Sequence, residues 1–380
     1  MNNDMTTMPE QTPHIASLLE HEKIAITCGR RSGLTIIATV HNTLLGPAFG
    51  GCRLWRYPDW TDALSDALRL SQGMTYKNAL AGLHAGGGKS VIHIPAGESL
   101  SEERRCAAFL DLGDAVESFD GLYVTAEDVG SSVEDMLTVA QRTAHVRGLP
   151  TEAGGSGDPS GYTARGVYSA LQETLRRVTG SPSCAGRRIT IAGVGHVGRH
   201  LAVRLANEGA ELALSDLDTS KKSLAEVLGA SWVAPEEAHT VPADVFMPAG
   251  VGGMLSDQVI DQLAAAAVVG PANNQLAKSD SAEKLSRRGI LYAPDYLVNA
   301  GGVLFLGAEQ DPLEERLARI DAIGSALGRV YDEADDRGIT TAEAANRLVR
   351  ERLSLLATNS RAGTAEAWRR HTHSTSSIRP

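Results

Sequence analysis

Short, largely apolar runs recur along the second half of the chain with helix-patterned stretches between them. They lie near residues 188–192, 211–215, 244–247, 266–269 and 289–292. Apolar strands without alternation, each followed by a helix, predict a parallel sheet covered on both faces. Earlier in the chain the pattern changes. Residues 14–21 read as a short helix, and Lys23–Cys28 and Leu34–His41 alternate as half-buried strands do. Apolar positions then recur at helical spacing over Asp62–Tyr76, with Ala63, Leu64, Ala67, Leu68 and Leu70 or Ser71 turned inward. Ser90–Ile94 is a strand stopped by Pro95, Ser101–Glu117 a helix, Leu122–Thr125 a strand and Val133–Gln141 a helix. The last helices are expected at about Pro312–Ala334 and Ala342–Leu356, capped by Asp311 and Thr340.

Two α/β domains follow from this division. Thr151–Ser160, rich in glycine and bounded by Asp158-Pro159, is the expected hinge. The expected boundaries are residues 14–150, rejoined by about 330–357, for an N-terminal substrate and oligomerisation domain. Residues 160–329 are expected to form a doubly wound Rossmann-type domain, and 358–380, where the apolar period is lost, a flexible tail.

The bulk numbers narrow the class. With 380 residues, two domains of roughly 150 residues each are the ordinary expectation. Apolar residues make up 42% and no run of about 18 of them occurs, so neither a membrane span nor a signal peptide is expected. A formal charge of −10 disfavours nucleic acid and anionic membranes as partners. Cys28, Cys52, Cys106 and Cys184 are too scattered for a disulfide framework or a zinc site, so no metal and a cytoplasmic setting are expected.

The strongest local signal is Ile189-Thr-Ile-Ala-Gly-Val-Gly-His-Val-Gly198, a strand running into three spaced glycines and a helix. Gly193 makes the tight turn, Gly195 lets backbone N–H groups approach a pyrophosphate, and Gly198 packs helix on sheet. His196 and Val197 lie at the helix start, where unpaired N–H donors attract phosphate. Asp216 ends the next strand, 18 residues after Gly198. A carboxylate there accepts from both ribose hydroxyls and repels a 2′-phosphate, which predicts NAD rather than NADP.

Glycine and strongly polar residues also meet in the first half: Gly46–Arg53, Gly73–Asn78 with Met74 and Lys77, Gly86–Lys89, and Thr125-Ala-Glu-Asp128. A lysine in a dry cleft has its pKa lowered by desolvation and can act as a base near neutrality. Taken singly, Lys77 and Lys89 could be surface lysines and Gly86–Gly88 an ordinary turn.

Together these segments resemble the glutamate/leucine/phenylalanine/valine dehydrogenase family, most closely its leucine and phenylalanine branches. The resemblance runs from about Leu34 to Gly302. It rests on GPAFGGCRLW, LSQGMTYKNALAG, GGGKSVI, TAEDVG, GSGDPS, TARGVY, GVGHVG, PANNQL and LYAPDYLVNAGGV, in that order. It implies oxidative deamination of an L-amino acid by NAD to a 2-oxo acid and ammonium, in a homo-oligomer (dimer or octamer). It further implies that Lys77 grips the substrate carboxylate, unprotonated Lys89 activates the attacking water, and Asp128 passes protons to and from the substrate nitrogen. Asn273 and Asn299 orient the substrate or the nicotinamide, Thr163 holds the carboxamide, and Gly50 and Gly51 line the substrate cleft.

Some positions depart from that pattern. Phe49 replaces a usual leucine, and a glutamate enzyme carries lysine there; a ring shortens the pocket or stacks on an aromatic substrate. Arg147 stands where leucine-type enzymes carry a small polar residue. Pointing inward it needs a partner and suggests a polar or acidic substrate side chain; pointing outward it is a solvated loop residue. Val303 and Leu306 fall at the pocket's apolar wall. Branched-chain aliphatic substrates are therefore expected first, aromatic ones second and a specialised polar one third. Arg53 is either a substrate ligand or a structural partner, Thr163 could instead be a helix N-cap, and Asn273 a strand-end cap. Cys52 reads as packing and His84 as a loop residue. The rival classes are a hydroxy-acid-type NAD dehydrogenase and a nucleotide sensor without catalysis.

Overall fold

A computed structural model describes residues 18–374, with side chains to residue 358. It divides into two compact units: residues up to Asn78, Leu83–Pro159 and Val303–Arg316 form the first, and Ala79–Gly82, Ser160–Gly302 and the chain from Leu317 on form the second.

The first unit is a mixed sheet between helices. Its strands are β1 (Lys23–Cys28), β2 (Thr35–Asn42), β3 (Ala48–Phe49), β4 (Cys52–Tyr57), β5 (Gly86–Pro95) and β6 (Tyr123–Val124), with α1 (Trp60–Ala81), α2 (Glu102–Glu117) and α3 (Val133–Ala140) packed on it. The order is β1-β2-β5-β3-β6, with β4 also beside β5. β1 and β2 run antiparallel to their neighbours, whereas β3 and β4 run parallel to β5.

Strand alternation sorts the side chains between the two faces. Ile37 and Val91 meet Ala63, Leu64, Ala67 and Leu68 of α1. Ile36, Ala38, Val40, Ile92 and Ile94 meet Phe109, Leu112 and Val116 of α2 and Met136 and Val139 of α3. Each of these side chains larger than alanine contributes roughly 1.5–3 kcal/mol by leaving water. Ser71, not Leu70, completes the inner face of α1; it is fully buried and satisfies its hydroxyl on the Leu68 carbonyl at 2.9 Å.

The glycine run Gly86–Gly88 lies inside β5 rather than forming a turn. A Cβ on Gly87 would lie 2.1 Å from the Thr75 nitrogen of α1, and one on Gly88 would lie 2.5 Å from the Tyr123 ring on the other face. Glycine here lets a helix and an aromatic ring close on the same strand from both sides.

The second unit holds β7 (Arg188–Ala192), β8 (Glu211–Ser215), β9 (Ser231–Trp232), β10 (Ala243–Pro248), β11 (Ala265–Val268) and β12 (Leu291–Tyr292) in the order β12-β11-β10-β7-β8-β9. Every pair is parallel. This is the doubly wound Rossmann order, with its switch point between β7 and β10. The helices α4 (Ser160–Thr179) and α5 (His196–Asn207) flank the dinucleotide motif.

Three expectations change at the ends and boundaries. The segment that rejoins the first unit is Val303–Arg316, while the expected 330–357 belongs to the second. There the helix Ile323–Arg337 packs on α4: Tyr331 and Thr174 share a buried hydrogen bond of 2.7 Å, and a Cβ on Gly324 would lie 2.7 Å from the Ser169 carbonyl. The expected helix 312–334 is two, Leu313–Asp321 and Ile323–Arg337. The final helix, Thr341–Ser374, runs well into the expected loose tail. Its sequence loses apolar period but keeps alanine, arginine and glutamate, and helix propagation needs propensity rather than a buried stripe. The rest of that tail, and most of the expected helix 14–21, lie outside the described residues.

Candidate active site

β5 emerges from its glycines at Lys89, which alternation places with Val91 on the face covered by α1. Lys89 is 4% exposed, and its Nζ lies 2.9 Å from Asp128 Oδ2. Asp128 follows β6 in a turn sewn to β4: the Leu54 N–H donates to the Val129 carbonyl, and Ser131 Oγ accepts from the Asp128 N–H while donating to the Cys52 carbonyl. The Arg53 Nε on β4 reaches the same Asp128 Oδ2 at 3.1 Å. Burial opposes ionisation of Asp128, but Lys89 and Arg53 outweigh it and lower its pKa from 3.8 to about 2. The buried lysine is thus one half of an ion pair with Asp128.

Gly50, Gly51 and Met74 gather round this pair. A Cβ on Gly51 would lie 2.9 Å from the Asp128 Cβ; one on Gly50 would lie 1.8 Å from the Gly88 carbonyl oxygen and 3.1 Å from Met74 Cγ. Lys77 is half-buried on α1, three residues after Met74 and so on its side of the helix. Phe49 is buried, and a Cβ on Gly307 would touch its ring at 3.1 Å. On that same helix, Gly301–Gly307, Leu306 is buried and Val303 half-buried. Leu306 Cδ1 approaches the Gly148 Cβ position at 3.7 Å, beside Arg147.

Arg147 follows neither course expected of it. Its Nε lies 3.5 Å from Glu309 Oε2, both side chains are about one-fifth exposed, and its Nη1 donates to the Val146 carbonyl at 2.9 Å. The chain itself supplies the counter-charge, so the guanidinium does not require an acidic substrate. Cys52 is buried and its thiol is pushed up to about 12 by desolvation, which fits packing, and His84 is exposed.

In the second unit Gly193 and Gly195 lie between β7 and α5, and Gly198 in the first turn of that helix. Gly193, at φ +115, follows β7, and a Cβ there would lie 2.6 Å from the Ala249 backbone. A Cβ on Gly198 would lie 2.2 Å from the Gly193 carbonyl oxygen, whereas one on Gly195 would meet nothing within 4 Å. Gly195 is the N-cap of α5, no side chain caps the helix, and His196 beside it is exposed while Val197 is half-buried. The N-terminal amides are therefore left for an anion. Asp216 Oδ2 accepts from the Val194 N–H at 2.6 Å and from Lys221 Nζ at 3.0 Å, and Oδ1 accepts from the Asp218 N–H at 2.9 Å. Burial opposes these bonds, yet together they lower the Asp216 pKa.

Thr163 is the fourth residue of α4 and hence not its N-cap. A Cβ on Gly301 would lie 3.1 Å from Thr163 Cα. Two residues before that glycine, Asn299 donates from Nδ2 to Asn273 Oδ1 at 2.7 Å and to the Pro271 carbonyl at 3.1 Å. Asn273 is exposed in the loop after β11 rather than at the strand end. Asn299 is 6% exposed and its Oδ1 has no partner. A buried acceptor left open, an open approach at Gly195 and an anchored carboxylate at Asp216 fit a nicotinamide dinucleotide.

The comparisons with known proteins agree with this geometry. The model of the Glu/Leu/Phe/Val dehydrogenase dimerisation domain matches residues 21–145, and that of the glutamate/leucine/phenylalanine/valine dehydrogenases matches 212–359. The chain belongs to this family. It is an amino acid dehydrogenase, an oxidoreductase. It is 38% identical over 343 residues to leucine dehydrogenase of Thermoactinomyces intermedius, covering 89% of this chain and 92% of the relative. It is 40% identical over 338 residues to phenylalanine dehydrogenase of Lysinibacillus sphaericus, covering 87% and 88%. Among solved structures, L-tryptophan dehydrogenase from Nostoc punctiforme superposes with a TM-score of 0.78 at 32% identity, over 90% of this chain and 98% of that one. A hydroxy-acid dehydrogenase is thereby set aside. Among the described residues no helix is long and apolar enough to cross a membrane.

Nothing in the linear pattern marks Glu309, Asp66 or Lys221 as partners of Arg147, Arg53 and Asp216. Each is an ordinary surface-type residue in its own segment, and only the fold brings it to its partner.

Proposed function

We propose that the chain carries out reversible, NAD-dependent oxidative deamination of an L-amino acid with a branched aliphatic side chain. The observation that carries this reading is the pairing of buried Lys89 with half-buried Asp128 beside the glycine surface of Gly50 and Gly51. Lys77 holds the substrate α-carboxylate, and the absence of room for side chains at Gly50 and Gly51 keeps the backbone close to the substrate α-carbon. Bound NAD would supply the oxidant that takes the hydride from that carbon. Asp128 accepts a hydrogen bond from the substrate nitrogen and receives its proton as the substrate displaces water from the carboxylate. Lys89, in its neutral form, takes one proton of the water that adds to the iminium carbon, and Asp128 returns its proton to the nitrogen. As the C–N bond breaks, the new hydroxyl gives up its own proton to solvent to become the 2-oxo group, ammonia leaving to become ammonium in water.

In the second unit, Gly193, Gly195, His196, Val197 and Gly198 hold the pyrophosphate. Asp216 holds the adenosine ribose, and Thr163 with Asn299 holds the carboxamide, Asn273 fixing the Asn299 amide. Apolar Phe49, Val303 and Leu306, with Arg147 neutralised by Glu309, support an aliphatic side chain over a polar one. An aromatic side chain is the second reading, favoured by the buried ring of Phe49. A cytoplasmic homo-oligomer, dimer or octamer, completes the proposal. It is supported by the match to a dimerisation domain and by the edge strand β1, whose Ile26 is 44% exposed.

The test is NADH formation across all L-amino acids at alkaline pH, with NADH oxidation by 2-oxo acids in the reverse direction. We expect leucine- and valine-type substrates to dominate and the reverse reaction to need ammonium; oxidation of NADH without ammonium refutes the proposal. Light scattering on the eluted protein reads the oligomer.

A further inference from the structure

Arg53 has no part in the roles assigned above, yet it joins two carboxylates of the first unit, one of them Asp128. Its side chain is 18% exposed; Nε meets Asp128 Oδ2 at 3.1 Å and Nη1 meets Asp66 Oδ2 at 2.8 Å. Asp66, on α1, is 7% exposed and also accepts from Tyr57 Oη at 2.7 Å and from Arg69 at 2.6 Å. A planar guanidinium pinned to two carboxylates on different elements has little freedom left.

The arrangement of donors on Asp128 is asymmetric. Lys89 Nζ and Arg53 Nε both reach Oδ2, and among the described residues no donor reaches Oδ1. A carboxylate with one oxygen held by two cations cannot turn about its Cβ–Cγ bond without breaking both contacts. Oδ1 is then the oxygen available to a ligand.

We propose that Arg53 is a positioning residue for Asp128: it pins Oδ2, presents Oδ1 to the substrate nitrogen, and is itself fixed by Asp66 and Tyr57. This rests on the assignment of Asp128 to the substrate nitrogen made above. The same contacts hold Asp128 anionic, since its pKa falls to about 2 despite burial. The charged groups around it are Lys89 from β5, Arg53 from β4 with Asp66 of α1 behind it, the adjacent Glu127, and Asp135 at the start of α3, which Arg105 already engages. Cys52 and Tyr123 are buried beside it, with thiol and phenol both pushed up by desolvation and so neutral.

Steady-state deamination by Arg53→Gln, Arg53→Lys and Asp66→Asn tests the proposal, with NADH binding followed by fluorescence as the readout of an intact second unit. For Arg53→Gln we expect kcat to fall about 30-fold or more while KM for the amino acid stays within about threefold. The acidic limb of its pH profile should move to higher pH, because one of the two cations that hold Asp128 down is gone. Arg53→Lys should restore the limb, which needs charge, but not kcat, which needs the fork. Asp66→Asn, remote from Asp128, should lower kcat about three- to tenfold.

A kcat within about threefold of wild type in Arg53→Gln overturns the proposal, as does a raised KM at unchanged kcat, the mark of a direct substrate ligand. Should Arg53→Gln not fold, full kcat in both Asp66→Asn and Tyr57→Phe overturns it equally. Near-native turnover in Asp128→Asn defeats the underlying reading instead, so the two failures are distinct.

Discussion

Replacing Asp128 by asparagine keeps the shape of the side chain and removes only its charge. Asp128 is 22% exposed and ion-paired to Lys89 and Arg53, and its pKa of about 2 against an ordinary 3.8 corresponds to roughly 2–3 kcal/mol in favour of the folded anion. The variant also leaves the 5%-exposed Lys89 side chain without its counter-ion, and breaking a buried pair from one side costs about 3–5 kcal/mol. Because Asp128 keeps some solvent contact, we expect a loss of about 3 kcal/mol, read from urea unfolding at fixed protomer concentration.

The folded pKa lies below the unfolded one, so the charge's contribution is complete above about pH 4 and is lost only as pH falls through about 2. The gap between wild type and Asp128→Asn should therefore be the same at pH 7 and pH 5. A gap below about 1 kcal/mol at pH 7, or one that vanishes between pH 7 and pH 5, would show that the Asp128 charge does not stabilise the fold in this way. In parallel kcat should fall by about 10² or more; a destabilised variant with wild-type turnover would remove Asp128 from the chemistry.

Asp216→Ala should raise the NADP-to-NAD ratio of kcat/KM by about tenfold or more, and an unchanged ratio would place this carboxylate away from the ribose. Arg147→Thr strands Glu309, whose Oε1 already lacks a partner, and should lower stability by about 1–2 kcal/mol. Adding Glu309→Gln should recover most of that loss, and an unchanged amino acid profile would place Arg147 outside the side-chain pocket. Gly50→Ala sets a Cβ 1.8 Å from the Gly88 carbonyl oxygen and should markedly depress both Tm and kcat, whereas equal stability would mean that β3 and β5 can part freely. Gly73→Ala meets nothing within 4 Å inside α1 and should instead stabilise by about 0.5–1 kcal/mol; a lower Tm would contradict the helix.

The class of each half is readable from the order of residues alone. Apolar runs at β7, β8, β10 and β11 alternating with helices specify a doubly wound sheet, because a strand buried on both faces must read as continuously apolar. Gly193, Gly195, Gly198 and Asp216 were legible because turn, close approach and helix packing each demand a fixed local spacing. Lys89 and Asp128 were legible as unusual charges beside glycine.

What those charges do to one another depends on the folded arrangement. That Lys89 and Arg53 share one oxygen of Asp128, and that Glu309 answers Arg147, follows from β5 lying beside β4 and from residues 303–316 joining the first unit. It also showed Gly86–Gly88 inside a strand, a choice made by Thr75 and Tyr123 from elsewhere in the chain. Periodicity reports whether a residue faces inward; it carries no information about which distant group it will face. Charge pairing is set by distances of a few ångströms between elements, and topology alone fixes those.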